Sequence, residues 1–386
     1  MQFQKKGMTR VAAFAGAAAL VASAFTATAG ATTKVAAHTT YATTKACLVT
    51  DTGGINDKSF NASAYAGLTA AKKLSSKITI AYLASSQESD YATNISTFEN
   101  QHCNIIVTVG FLMSEATWLA AVATPSQHFA QVDNNNAAPY GDTSGHAGPL
   151  SNYLGLTYST EQDAFLGGYE AAAYAASKNP SAPKVATYGG MQFSSVTSYM
   201  DGFYDGVQYY NTTAKPAHSV TVLGWNRTTQ TGTFIGSFND QATAATDTTA
   251  FLTQGATTIF PVAGADGLGT NTAVKQWNAS HSIKANVEWV DVDGCISDAT
   301  DCSIFLNSIT KGVTPSVTAA IVAQATGKWG NGGNYVGTLK NGGAAFVQDK
   351  GLTLFFSKTA GTALAAKIKT ITNDIISGKI KVKVGS

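Results

Sequence analysis

The segment Asp51-Thr-Gly-Gly-Ile-Asn-Asp-Lys-Ser-Phe-Asn61 gathers two carboxylates, a lysine, two side-chain amides and an aromatic ring into one short stretch. Carboxylates accept hydrogen bonds from hydroxyl and amine groups, lysine donates them, and a phenylalanine face stacks on a flat ring. The set suits non-covalent capture of a small polar molecule with a planar part. Two further carboxylates, Asp133 and Asp291, each end an apolar run. At that station a carboxylate serves equally as a helix cap or a loop anchor. Phe60 likewise suits the first core position of a helix, and Lys311 a solvated site beside a helix start near Pro315. Gly53 and Gly54 permit a turn that residues with a Cβ resist.

These residues need a frame. The apolar run Ala46 to Val49 precedes the loop and a helix-like stretch follows it. That order puts the loop at a strand's carboxyl end, where open α/β sheets bind small molecules. The spacing predicts strands near 46–50, 78–84, 104–109 and 128–133, each separated by a helical-length segment, which is the pattern of a parallel sheet with crossover helices. The pattern restarts with strands near 153–158, 184–188, 219–224, 257–262 and 287–292, separated by helices near 160–177, 195–210, 241–254 and 267–280, and predicts a second sheet. Ser159 with Gln162 three residues on forms a capping-box arrangement. Gly167, Gly168 and Ala171 give the following helix a smooth face for close packing. The fold class is therefore α/β, with two doubly wound parallel-sheet lobes and a cleft between them. The first lobe spans 45–158 with a return segment near 313–345, and the second spans 159–312. Residues 346–386 pack on either lobe.

Lys5, Lys6 and Arg10 precede the apolar stretch Val11 to Phe25, and Ala-Thr-Ala follows at 27–29, the three-part pattern of a secretory signal peptide over residues 1–29. The Thr-rich residues 30–44 read as a flexible tether. The chain is expected to be exported, extracellular or at the cell surface. No cysteine stands near the cleavage point to take a lipid anchor, because Cys47 is too late. In an exported chain the four cysteines point to disulfides. Cys295 and Cys302 close a local loop, and Cys47 and Cys103 each begin an apolar run that parallel strands could bring together; the alternative is one bridge and two buried thiols.

Charged residues make up 12% of the chain and the net charge is +2, with no basic stripe of the kind a nucleic-acid binder shows. The six histidines are scattered without metal-ligand spacing. Gly264-Ala-Asp-Gly-Leu-Gly269 has the wrong spacing for a dinucleotide loop, and no Gly-x-Ser-x-Gly elbow occurs. No cofactor and no enzymatic step are predicted, and a monomer is expected because a closing cleft needs both lobes free to move.

Several motifs in order resemble the basic membrane protein family. They are the Asp51–Asn61 loop, Val-Thr-Val-Gly-Phe at 107–111, Phe-Ala-Gln-Val-Asp at 129–133, Tyr-Gly-Gly at 188–190, Gly-Ser-Phe-Asn-Asp at 236–240, Pro-Val-Ala-Gly at 261–264 and Val-Asp-Val-Asp at 290–293. The resemblance runs from about Cys47 to beyond Lys311 and implies a solute-binding protein of an ABC importer. It also implies a two-lobed fold like that of the ribose-type (type I) periplasmic binding proteins, closing by a hinge. The ligand it implies is a purine nucleoside, held by Phe60 on one face of the base and Phe238 on the other, with Phe234 and Trp225 as competitors for that second ring. By the same resemblance Asp133 meets the base edge, while Asp291, Lys311 and the backbone near Gly264 hold the ribose. Asp51, Asn56 and Asp57 complete the first loop. Rival readings are an extracellular nucleoside-processing hydrolase, which would need a general acid or an aspartate cluster, and a sugar-binding or sensory protein of the same fold.

Overall fold

Two six-stranded sheets divide the chain. The computed structural model describes residues 39–139, 145, 148–348 and 350–385. The signal-peptide region, part of the tether and part of the 134–148 insertion lie outside them.

The first sheet is built from β1 (Thr44–Thr50), β2 (Ile78–Ala84), β3 (Ile105–Val109), β4 (His128–Val132) and β5 (Tyr153–Tyr158), with helices α1 (Phe60–Leu74), α2 (Tyr91–Asn100) and α3 (Ser114–Ala123) between strands. The second contains β6 (Lys184–Gly189), β7 (Thr221–Leu223), β10 (Ala256–Val262), β11 (Asn286–Asp291) and β12 (Phe305–Lys311), and a short hairpin, β8 (Trp225–Asn226) and β9 (Thr231–Gly232), stands beside it. Its helices are α4 (Glu161–Lys178), α5 (Ser194–Ala214), α6 (Gln241–Thr253), α7 (Gly267–Ser280) and α8 (Gly294–Ser297). The chain then returns through α9 (Val313–Ala325) and β13 (Gly333–Gly337) to the first sheet, and through β14 (Ala344–Val347), α10 (Gly351–Phe355) and α11 (Lys358–Ile376) to the second.

The strand orders are β13-β5-β4-β3-β1-β2 and β14-β12-β11-β10-β6-β7, the same winding twice. All pairs within these sheets are parallel except β12 with β14. Central strands such as Ile105–Val109 and Ala256–Val262 are buried throughout, because helices cover both faces of each sheet. In the second lobe α4 and α5 approach through glycine: a Cβ on Gly168 would overlap the Phe203 carbonyl, and one on Gly206 the Phe165 carbonyl.

Several sequence expectations are corrected. The strand at 153–158 belongs to the first sheet, pairing in parallel with β4, so the second sheet starts at Lys184. Tyr41 packs on the first lobe's core and the Ala42 N–H donates to the Ala325 carbonyl at 2.7 Å, so the chain is anchored before Lys45. The Ser159–Gln162 capping box does not form; Gln162 Oε1 accepts from the Leu339 N–H instead. Residues 344–345 lie in β14 of the second sheet, and α11 buries Leu364, Ile368, Ile371 and Ile375 with Phe165 and Tyr169 of α4. Both disulfides form, yet Cys47 stands opposite Ile106 in the strand register, and its bridge reaches back to Cys103 before β3 begins.

The chain passes between sheets three times, at 158–161, 311–313 and 337–344. These crossings lie side by side: the Ser159 N–H donates to the Gly337 carbonyl at 2.7 Å and the Gly312 N–H to the Gly343 carbonyl at 2.8 Å.

Candidate functional site

Residues at the carboxyl ends of β1, β3 and β4 and of β10, β11 and β12 line a cavity with about 570 Å³ of empty space, mouth included. From Thr40 onward the chain forms one compact unit, so both lobes contribute to it.

At one end Lys311, the last residue of β12, is buried between carboxylates from opposite lobes. Its Nζ donates to Asp133 Oδ2 at 2.7 Å and lies 3.7 Å from Asp291 Oδ1. The rings of Phe60, Tyr199 and Tyr158 surround the ammonium at 4.9, 5.3 and 6.0 Å. Burial opposes the charge on Lys311, but Asp133 and Asp291 outweigh it and hold its pKa above the ordinary lysine value. Asp291 also accepts from Tyr199 Oη at 3.0 Å and from Ser59 Oγ at 2.9 Å, so its carboxylate is fixed from both lobes. The resemblance parts Asp133, at the base edge, from Asp291 and Lys311, at the ribose; the structure joins all three in one cluster.

The first loop contributes differently. Asp57 accepts from the backbone N–H groups of Ser59, Asn61 and Ala62 at 2.8–3.0 Å and so caps α1. Burial pushes its pKa up to about 6. Asp51 follows β1 and accepts from Asn61 Nδ2 at 2.9 Å; burial pushes its pKa up to about 8. Gly110, at φ 105°, passes so close that a Cβ there would overlap the Asp51 carboxyl. Asn61 Oδ1 is buried with no protein donor among the described residues, leaving an acceptor free in the cavity wall.

Of the nine residues expected from sequence, Asp51, Asp57, Phe60, Asp133, Phe238, Gly264, Asp291 and Lys311 line the cavity, whereas Asn56 points to solvent beyond the glycine turn. Phe234 and Trp225 are not in the lining; their rings meet edge to face at 6.1 Å, and Trp225 Nε1 donates to the buried Asp201. Three aromatic residues missed in the sequence do line it: Tyr199, beside Lys311, and the pair Phe111 and Phe193. Phe111 follows β3 and Phe193 precedes α5, and their rings touch across the lobes at 4.9 Å. Phe193 in turn lies 6.5 Å from Phe238, whose ring rests on the bare backbone of Gly190. A signal was present: a Gly-Gly pair and then a phenylalanine at a helix start occur in both lobes, at Gly53-Gly54…Phe60 and Gly189-Gly190…Phe193.

Chemically, the cavity combines aromatic faces with a polar end that can accept from a diol through two carboxylates and donate through one ammonium. Comparison with known proteins identifies the family and the fold. The ABC transporter nucleoside-binding protein BmpA of Lactococcus lactis subsp. cremoris is 29% identical over 349 residues, covering 88% of this chain and 88% of that protein. Basic membrane protein A1 of Borrelia garinii subsp. bavariensis is 26% identical over 329 residues, covering 84% and 86%. Among solved structures, a solute-binding protein of an ABC transporter system from Aeropyrum pernix K1 superposes with a TM-score of 0.72 at 22% identity, covering 89% of this chain and 94% of that one, which shows the shared type I periplasmic-binding fold. Residues 44–384 match the Bmp family, described as ABC transporter substrate-binding protein PnrA-like, and the chain belongs to that family.

Proposed function

We propose that this chain is an exported, non-enzymatic binding protein that captures a purine nucleoside between its lobes and presents it to the permease of an ABC importer. The observation that carries the reading is the cavity's division into aromatic faces and one Asp133–Lys311–Asp291 cluster, matching a ligand with a flat base and a diol. In this reading Phe60 stacks on one face of the base and Phe238, supported by Phe193, on the other. Asp51 and Asn61 meet the base edge; Asp133, Asp291 and Lys311, with the backbone at Gly264, hold the ribose. Stacking contributes about 1–3 kcal/mol per ring, and each hydrogen bond to a charged group about 1.5–3 kcal/mol. Two rings and three charged partners together supply about 6.5–15 kcal/mol, against an ordering cost of about 4–15 kcal/mol, so micromolar binding, about 8 kcal/mol net, requires strong contacts and a cleft already ordered for the ligand.

The lobe made of 45–158 with α9 and β13 moves as one body in this reading, and that made of 159–312 with the carboxyl-terminal segment as the other. The protein works as a monomer. The test is thermal unfolding and calorimetry of the protein against guanosine, inosine, adenosine, free bases, ribose and hexoses, since selective binding to the native state raises the melting temperature. Stabilisation by nucleosides above that by bases or sugars supports the reading, and stabilisation by sugars alone overturns it. Chromatography of guanosine after long incubation separates binding from hydrolysis: released base would make the chain an enzyme.

A further inference from the structure

Besides the cavity contacts, the first loop of lobe 1 is fastened to lobe 2 outside the ligand space. Lys58 Nζ donates to Asp298 Oδ1 at 2.8 Å, and the Lys58 carbonyl accepts from Trp289 Nε1 at 3.3 Å. Lys58 takes φ 56°, a left-handed conformation costly for a residue with a Cβ, so something must hold it there. Neither Lys58 nor Asp298 lines the cavity.

Asp298 lies midway along the loop between Cys295 and Cys302, which a disulfide closes with a sequence separation of 7. The loop is a surface feature, and Ile296 beside the bridge is 80% exposed. Asp298, Asp301 and Cys302 are nevertheless buried, and both cysteines pack on the core of the second lobe; covalent closure adds to that packing by removing much of the loop's remaining conformational freedom. Within the loop Asp298 also accepts from Thr300 Oγ1 at 3.0 Å and from Asn271 Nδ2 at 3.3 Å, and Lys275 holds Asp301 at 2.7 Å. Those contacts all lie within lobe 2; the Lys58 contact crosses the cleft.

We propose that the Cys295–Cys302 loop is a latch: the disulfide holds Asp298 where it pairs with Lys58 of the opposite lobe, and that pair raises the fraction of molecules whose cleft is closed. Lys58 and Asp298 are positioning residues, acting on the ligand only through Ser59 and Phe60, which follow Lys58 in the same loop. The inference rests on the two lobes opening and closing as the proposed binding cycle requires, and not on which ligand enters.

The experiment therefore uses the protein without ligand. Spin labels on non-canonical residues at Lys73 of α1 and Thr249 of α6 report the interlobe distance distribution. The expected result is that Lys58→Met and the double variant Cys295→Ser/Cys302→Ser each lower the closed-to-open ratio about two- to fivefold, the scale of a partly exposed ion pair. Lys58→Arg keeps the ratio, and adding Lys58→Met to the double serine variant lowers it no further, because both act on one contact. Circular dichroism and melting of the variants check that lobe 2 remains folded. The proposal is overturned if the serine variant keeps the wild-type ratio while folded, which would mean that Asn271, Thr300 and Lys275 suffice to place Asp298. It is equally overturned if the two effects add, or if Lys58→Met changes nothing. A protein that binds no nucleoside yet shows the latch effect would defeat the binding proposal and leave this one standing.

Discussion

Asp133 and Asp291 occupy equivalent stations in the two lobes: one follows β4, the other ends β11, each strand is third in its sheet's order, and both residues take a left-handed backbone, with φ 67° and 68°. The repeated winding brings both carboxylates to the cleft. The backbone strain at each turns the chain sharply as the strand ends, and aspartate tolerates that conformation better than most residues with a Cβ. Lys311, at the end of β12, is the counter-charge for the pair. Its equivalent in the first lobe, at the end of β5, is Tyr158, whose ring faces the same ammonium.

The Lys311 pair sets the first prediction. Removing one partner of a buried ion pair leaves an uncompensated charge, at a cost of about 3–5 kcal/mol. Lys311→Met is expected to lower unfolding stability by that order and to abolish measurable nucleoside binding. Adding Asp133→Asn to Lys311→Met should recover part of the lost stability without restoring binding. Denaturant melts of the single and double variants check the coupling, and a double variant no more stable than Lys311→Met would refute it.

The aromatic walls make unequal predictions. Phe60→Ala and Phe238→Ala should each weaken nucleoside binding by about 1–3 kcal/mol, whereas Phe234→Ala should leave affinity unchanged, because Phe234 lies outside the cavity lining. Phe193→Ala tests the ring that sequence reading passed over, and its removal also unsupports Phe238. Calorimetry on the four variants ranks them; an affinity loss at Phe234 equal to that at Phe238 would mean that the second stacking ring is wrongly placed.

Much of this architecture was legible because parallel strands buried on both faces leave near-continuous apolar runs, as at Ala46–Val49 and Ile105–Val109. β13 and β14 were not legible, since Gly333–Gly337 and Ala344–Val347 are short, partly exposed and rich in small residues. The carboxylates at strand ends could be found because a charge closing an apolar run is conspicuous. Phe111 and Phe193 could not be told from core residues by type, for an aromatic side chain at a helix start is ordinarily packing; only the repeat of the winding singles out Phe193 as the counterpart of Phe60. The Lys311–Asp133 pair joins residues 178 positions apart, and no local pattern carries that information.

The hinge crossings predict a backbone effect. A Cβ on Gly343 would overlap the Gly337 backbone and the Tyr335 hydroxyl, and one on Gly312 would press on Gly343, because the second and third crossings touch backbone to backbone at these glycines. Gly343→Ala is expected to lower stability by about 1–3 kcal/mol, as overpacking does, and to slow closure measured by ligand-induced fluorescence change. Gly330→Ala is the control: its φ of 76° makes alanine strained there as well, but it stands away from the crossings with nothing near its Cβ. Equal changes in closure rate for both variants would separate the hinge from this glycine contact.

Asp51 predicts the pH dependence. Its folded pKa, pushed up to about 8 by burial from an ordinary value of 3.8, means that the folded state holds a proton that the unfolded chain gives up. The stability it contributes is fully present below pH 3.8 and is lost progressively as pH rises through about 8, at no more than about 1.4 kcal/mol per pH unit. Asp57, raised to about 6, adds a loss of the same sign over the lower part of that range. Asp51→Asn keeps a polar group of the same shape beside Asn61 and cannot ionise. The difference in melting temperature between Asp51→Asn and the wild type should therefore grow in the variant's favour from pH 5 to pH 8 and level off above pH 9. A difference that stays constant across that range would mean that Asp51 is ionised in the folded protein despite its burial.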